Sequence, residues 1–312
     1  MSDRDAFDKL RSEMMGLYEA GDYTTARELI QTSEQDFPEM SARIMFWKMC
    51  LLSLEGHLDD ALFTFRSGLD KGLWWAEAQF NDTDLDPIRD LPEFKKMVVK
   101  SVQRWEQERT KIEPEHVLLL PDVPRSDTYP LLIALHGRSG NKESNLEYWE
   151  VAKHKGWAIL SPQSTQPLFP GSYCWDDPLA GVQDILFHLE NALNAYEIDR
   201  ERIVIGGFSQ GSGMAIYAAL HSEALINGFI GVGTWWADLD SIKTLAVPPM
   251  SLRCYFITGE RDYSLERAKE IQSVQKTNGI PCKEEIHPEL GHEFPADFEK
   301  SFMRAVDFIF GE

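Results

Sequence analysis

From His116 onward the chain alternates short runs of β-branched and aliphatic residues with helix-forming stretches. That alternation implies a mostly parallel sheet with helices on both faces. Strands are expected near residues 117–120, 131–135, 158–161, 203–205, 229–232, 252–257 and 283–286. Helices are expected over 146–155, 181–195, 210–221, 265–277 and 296–310. Upstream of this region the pattern is helical throughout, so two domains are expected, residues 1–112 and residues 113–312, joined by the charge-rich stretch 104–114.

One strand–helix junction carries more information than the others. Arg202-Ile203-Val204-Ile205-Gly206-Gly207-Phe208-Ser209-Gln210-Gly211 is a buried-strand run entering a Gly-x-Ser-x-Gly turn ahead of a helix. In that setting the serine sits on a sharp turn with its Oγ above the sheet, and Gly207 and Gly211 flank it where a Cβ would crowd the turn. The helix N-terminus behind Ser209 turns free N–H groups toward developing negative charge.

A serine hydroxyl needs a base and an orienting acid to act as a nucleophile. Past the strand at 252–257, the loop Thr258-Gly259-Glu260-Arg261-Asp262 brings carboxylates to the same rim of the sheet. Asp262 is the favoured acid and Glu260 the alternative. In Leu290-Gly291-His292-Glu293 a histidine sits on a loop before the last helix, and Gly291 permits the bend that aims it across the rim. His292 is the candidate base, because an imidazole is a side chain able to accept and return a proton near neutrality. His287 reads as a structural residue at a strand end, and His154, His188 and His221 lie on helical stretches. The apolar strand ending in Leu135-His136-Gly137-Arg138 opens into a turn that can supply one oxyanion-binding N–H, from Arg138, with the second from Gln210. His136 is read as a brace for that loop. The stretch 164–177 is rich in aromatics, and Trp175, together with Trp235 and Trp236, is a candidate wall of a substrate pocket; ordinary packing is the competing reading.

With these residues located, the region 116–312 resembles the α/β-hydrolase superfamily, in its phospholipase/carboxylesterase and acyl-protein-thioesterase-like branch. The resemblance rests on Leu135-His136-Gly137, Pro162-Gln163-Ser164, the Gly-Gly-Phe-Ser-Gln-Gly block at 206–211, Gly259-Glu260-Arg261-Asp262 and Gly291-His292. It implies an α/β-hydrolase fold and the roles already assigned to Ser209, Asp262, His292, Arg138 and Gln210. Ser212 departs from the branch, which has a further glycine there, and Thr234-Trp235-Trp236 replaces a small-residue turn.

The helical region contains an echo at an offset of about 35 residues, close to the period of a helix–turn–helix repeat. Ala20-Gly21-Asp22-Tyr23 leads to Ala26, and Glu55-Gly56-His57-Leu58 leads to Ala61. This resembles a tetratricopeptide-type array, with Asp84 to Phe94 as a degraded closing repeat. A small all-α helical-repeat domain is therefore expected ahead of the hydrolase, as a cap, a homodimer surface or a protein contact.

A formal net charge of -20 argues against nucleic acid and anionic membrane as partners. No apolar run reaches membrane-spanning length. The four cysteines lack metal-type spacing, which suits reduced thiols in a cytoplasm, and neither a metal nor an organic cofactor is expected. The expected activity is cleavage of small carboxylic esters through a Ser-His-Asp triad and an acyl-enzyme. A thioesterase or small-substrate peptidase would use the same groups, and an interaction module on a vestigial hydrolase scaffold is the alternative of a different class.

Overall fold

A computed structural model describes residues 3–121, 128–221, 225–243 and 252–311. The chain divides into two compact units: Met1–Ile112 with Pro167–Ser172, and Glu113–Gln166 with Tyr173–Glu312.

The first unit is helical. It contains α1 (Asp3–Glu19), α2 (Tyr23–Ile30), α3 (Ser33–Asp36), α4 (Ser41–Leu54), α5 (Leu58–Asp70), α6 (Asp86–Arg89) and α7 (Pro92–Arg109). The two echoes in the sequence are helical hairpins, α1–α2 and α4–α5, each turning on a glycine with positive φ, Gly21 at 75° and Gly56 at 79°. The alanines at equal offset, Ala26 and Ala61, are fully buried, where a small side chain lets helices approach. The expected closing repeat is instead a 3-10 turn, the single turn of α6 and the long α7. The linker expected at 104–114 also starts too early, because α7 runs on to Arg109. Helix-forming residues carry it, and Arg104 donates to the carbonyl of Leu69 in the last turn of α5 and to that of Leu73 just beyond it (both 2.8 Å).

Six residues from the middle of the chain belong to this unit. Leu168 accepts from the Ala76 N–H (2.7 Å), Pro167 accepts from the Trp105 indole (2.7 Å), and Arg43 donates to Ser172 (3.0 Å). They form most of a small hairpin of β4 (Pro167–Phe169) and β5 (Ser172–Tyr173).

The larger unit is built on a seven-stranded sheet. Its strands are β1 (His116–Leu119), β2 (Tyr129–Leu135), β3 (Ala158–Pro162), β6 (Ile198–Phe208), β7 (Gly228–Val232), β8 (Arg253–Gly259) and β9 (Cys282–His287), in the order β1-β3-β2-β6-β7-β8-β9. Only β1 runs antiparallel to its neighbour. The helices are α8 (Leu146–His154), α9 (Pro178–Ala195), α10 (Gln210–His221), α11 (Asp240–Lys243), α12 (Leu265–Thr277) and α13 (Phe298–Phe310).

The two-residue period of a strand explains why nearly every position of the central strands is apolar. Leu131, Ile133, Ile203 and Ile205 point to the face packed by α9, α10 and α12, including Ile185, Leu189, Met214 and Ile271. Leu132, Ala134 and Val204 point to the other face, against Trp149 of α8 and Phe298, Phe302 and Val306 of α13. This is the α/β-hydrolase fold, a mostly parallel sheet flanked by helices. Its parallel strands bring the loops after β2, β6, β7, β8 and β9 to one rim.

Candidate active site

Ser209 stands between β6 and α10 with φ at 55°, in the left-handed region that a residue with a Cβ rarely occupies. Its N–H donates to Val232 O (2.9 Å), and its carbonyl accepts from Ser212, Gly213 and Trp235 (3.0, 3.2 and 3.3 Å). The flanking glycines are required by contact: a Cβ on Gly207 would collide with the backbone of Gly211, and one on Gly211 with the carbonyl of His136. The sharp turn thus brings the start of α10 against the end of β2.

The loop after β8 carries the candidate acid. Asp262 is 1% exposed at its side chain, and both its oxygens face His292 Nδ1, at 2.9 and 3.0 Å. Oδ1 also accepts from the Ser264 N–H (2.7 Å). A buried carboxylate on Nδ1 favours the tautomer with its proton there and leaves Nε2 as the acceptor. Nε2 is buried without a hydrogen-bond partner, on the side of the ring away from Asp262. Glu260, the alternative acid, instead receives the Glu289 N–H (3.4 Å) on the surface. His287 pairs with Glu285 (2.6 Å), as a structural residue would.

Three residues that the sequence reading did not single out complete this corner. Tyr263 lays its ring 4.3 Å from that of His292 while remaining 72% exposed. Gly233, φ 54°, lies at the end of β7 directly against the Asp262–His292 pair. Asp176 accepts from Gln210 Nε2 (2.7 Å) and from the Arg138 guanidinium. Only Gly233 had a sequence signal, a glycine directly after an apolar strand.

The loop after β2 approaches Ser209 from the other side. A Cβ on Gly137 would stand 3.2 Å from Phe208 O and 3.6 Å from Ser209 Cβ. His136 is buried, and burial pushes its pKa down to about 4. With Nδ1 on Gly137 O (2.9 Å) and Nε2 accepting from Ser164 N–H (3.3 Å), it is a neutral brace. Arg138 N–H and Gln210 N–H donate to no backbone carbonyl among the described residues.

Two of the three candidate pocket tryptophans take the ordinary-packing alternative. Trp175 is fully buried, stacked on His136 and donating its indole N–H to His136 O (2.8 Å). Trp236 is 5% exposed, packs beside Tyr217 and donates to Ser241 (3.0 Å). Both are core residues with no open face for a ligand; aromatic composition alone does not reveal which way a ring points. Trp235 is partly exposed.

Residues 182–309 match the family model described as phospholipase/carboxylesterase, and residues 6–109 match that of an A/B hydrolase-like N-terminal domain. Acyl-protein thioesterase 1 of Gibberella zeae is 30% identical over 97 residues, 30% of this chain and 41% of that protein. The chain thus spans about two fifths of the length of that curated relative. Among solved structures, an uncharacterized protein from Bacillus cereus ATCC 10987 has a TM-score of 0.55 at 24% identity, covering 97% of this chain and 98% of that one. A Bacillus cereus carboxylesterase gives 0.51 at 18% identity, covering 66% and 99%. Esterase PE8 gives 0.52 at 16% identity, covering 64% and 99%. At these identities the structural likeness is one of fold.

Proposed function

We propose that this chain, whose larger unit has the α/β-hydrolase fold and matches the phospholipase/carboxylesterase family, is a serine hydrolase that cleaves small carboxylic esters. The observation that carries this reading is the His292–Asp262 hydrogen bond with Nε2 left unpartnered, beside a serine on a left-handed strand-to-helix turn. His292 Nε2 takes the Ser209 proton as Oγ attacks the ester carbonyl. Asp262 holds the imidazole in the correct tautomer and stabilises the imidazolium. The N–H groups of Gln210 and Arg138 receive the oxyanion, a contribution of about 3 kcal/mol for each well-placed donor. His292 then returns the proton to the leaving alcohol. An acyl-enzyme forms at Ser209, and water activated by the same imidazole releases the acid. None of these steps calls on a metal or an organic cofactor.

Thioester cleavage is the second reading, favoured by the match to an acyl-protein thioesterase, and it would use the same groups. No helix among the described residues is long and apolar enough to cross a membrane. We take the four free cysteines and the acidic surface to suit a cytoplasmic enzyme. The helical unit is proposed as a cap or protein-contact element.

The test is hydrolysis of p-nitrophenyl acyl esters of graded chain length, with matched thioesters, by wild type and Ser209→Ala. Turnover lost in the variant supports the reading, and the ratio of ester to thioester rates chooses between the two substrates. A folded wild type that turns over none of them sinks it.

A further inference from the structure

The two N–H groups assigned to the oxyanion come from different parts of the chain, 72 residues apart in sequence, and something must fix the gap between them. A preorganised site works only if its donors stay aimed while charge develops. Residues 175–177 bind both arms. Toward the β2 loop, the Trp175 indole donates to His136 O (2.8 Å) and Asp176 accepts from the Arg138 guanidinium. Toward the serine turn, the Trp175 N–H donates to Gln210 Oε1 (3.1 Å) and Gln210 Nε2 donates to Asp176 Oδ1 (2.7 Å).

The segment is itself pinned. The Asp177 N–H donates to Gln166 Oε1 (2.7 Å), Gln166 Nε2 donates to Asp177 O (2.9 Å), and Asp177 Oδ1 caps the first turn of α9 through Leu179 and Ala180. Asp176 is thus held from behind while its one carboxylate oxygen meets the side chains of both residues that supply the hole. A bare carboxylate so near a forming oxyanion would oppose it, and the Arg138 guanidinium offsets that charge.

We propose that Asp176 is a positioning residue, which ties the Arg138 and Gln210 side chains together and thereby sets the spacing of their backbone N–H groups. This rests on the serine hydrolase reading. Asp176 bonds to Arg138 and Gln210 and has no hydrogen bond to Ser209 among the described residues, so its loss is expected to act on the transition state rather than on substrate binding.

The experiment compares wild type, Asp176→Ala, Asp176→Asn and Asp176→Ala/Gln210→Ala. Three readouts are taken: kcat and KM on the preferred p-nitrophenyl ester, inhibition by the matching trifluoromethyl ketone, and amide hydrogen exchange. Asp176→Ala is expected to lower kcat roughly 10- to 100-fold with KM within about twofold, and to weaken the ketone, which forms an oxyanion on Ser209, by a similar factor. Asp176→Asn, isosteric and still an acceptor for Gln210, should fall between and guards against a folding defect. Adding Gln210→Ala should cost little more, because the two side chains act through each other. Exchange should quicken at residues 137–140 and 210, with the rest of the sheet unchanged. Unchanged kcat, a change confined to KM, or unchanged ketone affinity would overturn the proposal. A wild type that turns over neither the ester nor the matched thioester would instead remove the hydrolase reading; exchange would then decide the tie alone, and unaltered exchange would end it.

Discussion

Gly233 lies against the imidazole of His292 so closely that a Cβ on it would stand 2.9 Å from Cε1 and 3.0 Å from Nδ1, with Asp262 Oδ2 also at 3.0 Å. Its φ of 54° adds backbone strain to any side chain placed there. Gly233→Ala is therefore expected to cost about 1–3 kcal/mol of stability and to push the imidazole off its carboxylate. Activity should fall by more than the loss of folded protein explains. Esterase rates normalised to active-site titration, alongside urea denaturation, check this.

Asp262→Asn preserves shape but removes the charge that fixes the Nδ1 proton. A drop in kcat of roughly four orders of magnitude is expected at neutral pH, with the fold unchanged. Glu260→Gln, altering a surface carboxylate bonded only to the Glu289 N–H, should stay near wild type. Equal losses in the two variants would return Glu260 to consideration as the acid.

Tyr263 lays its ring against that of His292 while remaining largely exposed, and in the proposed reaction His292 delivers the proton to the leaving group. The phenol is therefore expected to border the alcohol portion of the substrate. Tyr263→Ala should raise KM for esters of bulky alcohols by roughly 3- to 10-fold, as the loss of one aromatic contact does. A series varying only the acyl chain should show little change. Steady-state kinetics on the two series distinguish the alcohol side from the acyl side.

Burial pushes His136 down to about 4, and burial, with His116 as the lesser cause, pushes His188 down to about 4 as well. Both folded values lie below the ordinary imidazole value near 6.5. The unfolded chain thus binds protons first as pH falls, and stability is lost between about pH 6.5 and about 4. His188 has neither ring nitrogen hydrogen-bonded. His188→Leu should be neutral or stabilising by about 1 kcal/mol at pH 7.5 and gain further at pH 5. Urea midpoints at the two pH values provide the check.

Much of the sheet and its helices was legible because each element is long enough to state its period. Strands at 131–135 and 203–205 are continuous apolar runs, and α10 and α12 fall at Gln210–His221 and Leu265–Thr277, as their patterns suggest. Ser209, Asp262 and His292 were legible for a different reason: glycines and a strand end mark the turns that hold them. What was not legible depends on contacts between distant segments. Nothing in Cys174-Trp175-Asp176-Asp177 says that the indole will face inward to His136 or that the carboxylate will meet Gln210 and Arg138. The same holds for Arg104, whose charge suggests a linker but whose partners are the distant carbonyls of Leu69 and Leu73.

The left-handed backbone at Ser209 has a consequence for how such a chain ages. Any residue with a Cβ is held there at a cost of about 1–2 kcal/mol, which glycine would not incur. Selection for a robust fold and selection for chemistry therefore pull this one position in opposite directions. A lineage released from the need for turnover would be free to trade its nucleophile for glycine while Gly207 and Gly211 stayed locked by their neighbours. On the proposed reading the serine is then the piece of this turn most easily forfeited, kept only while turnover is needed.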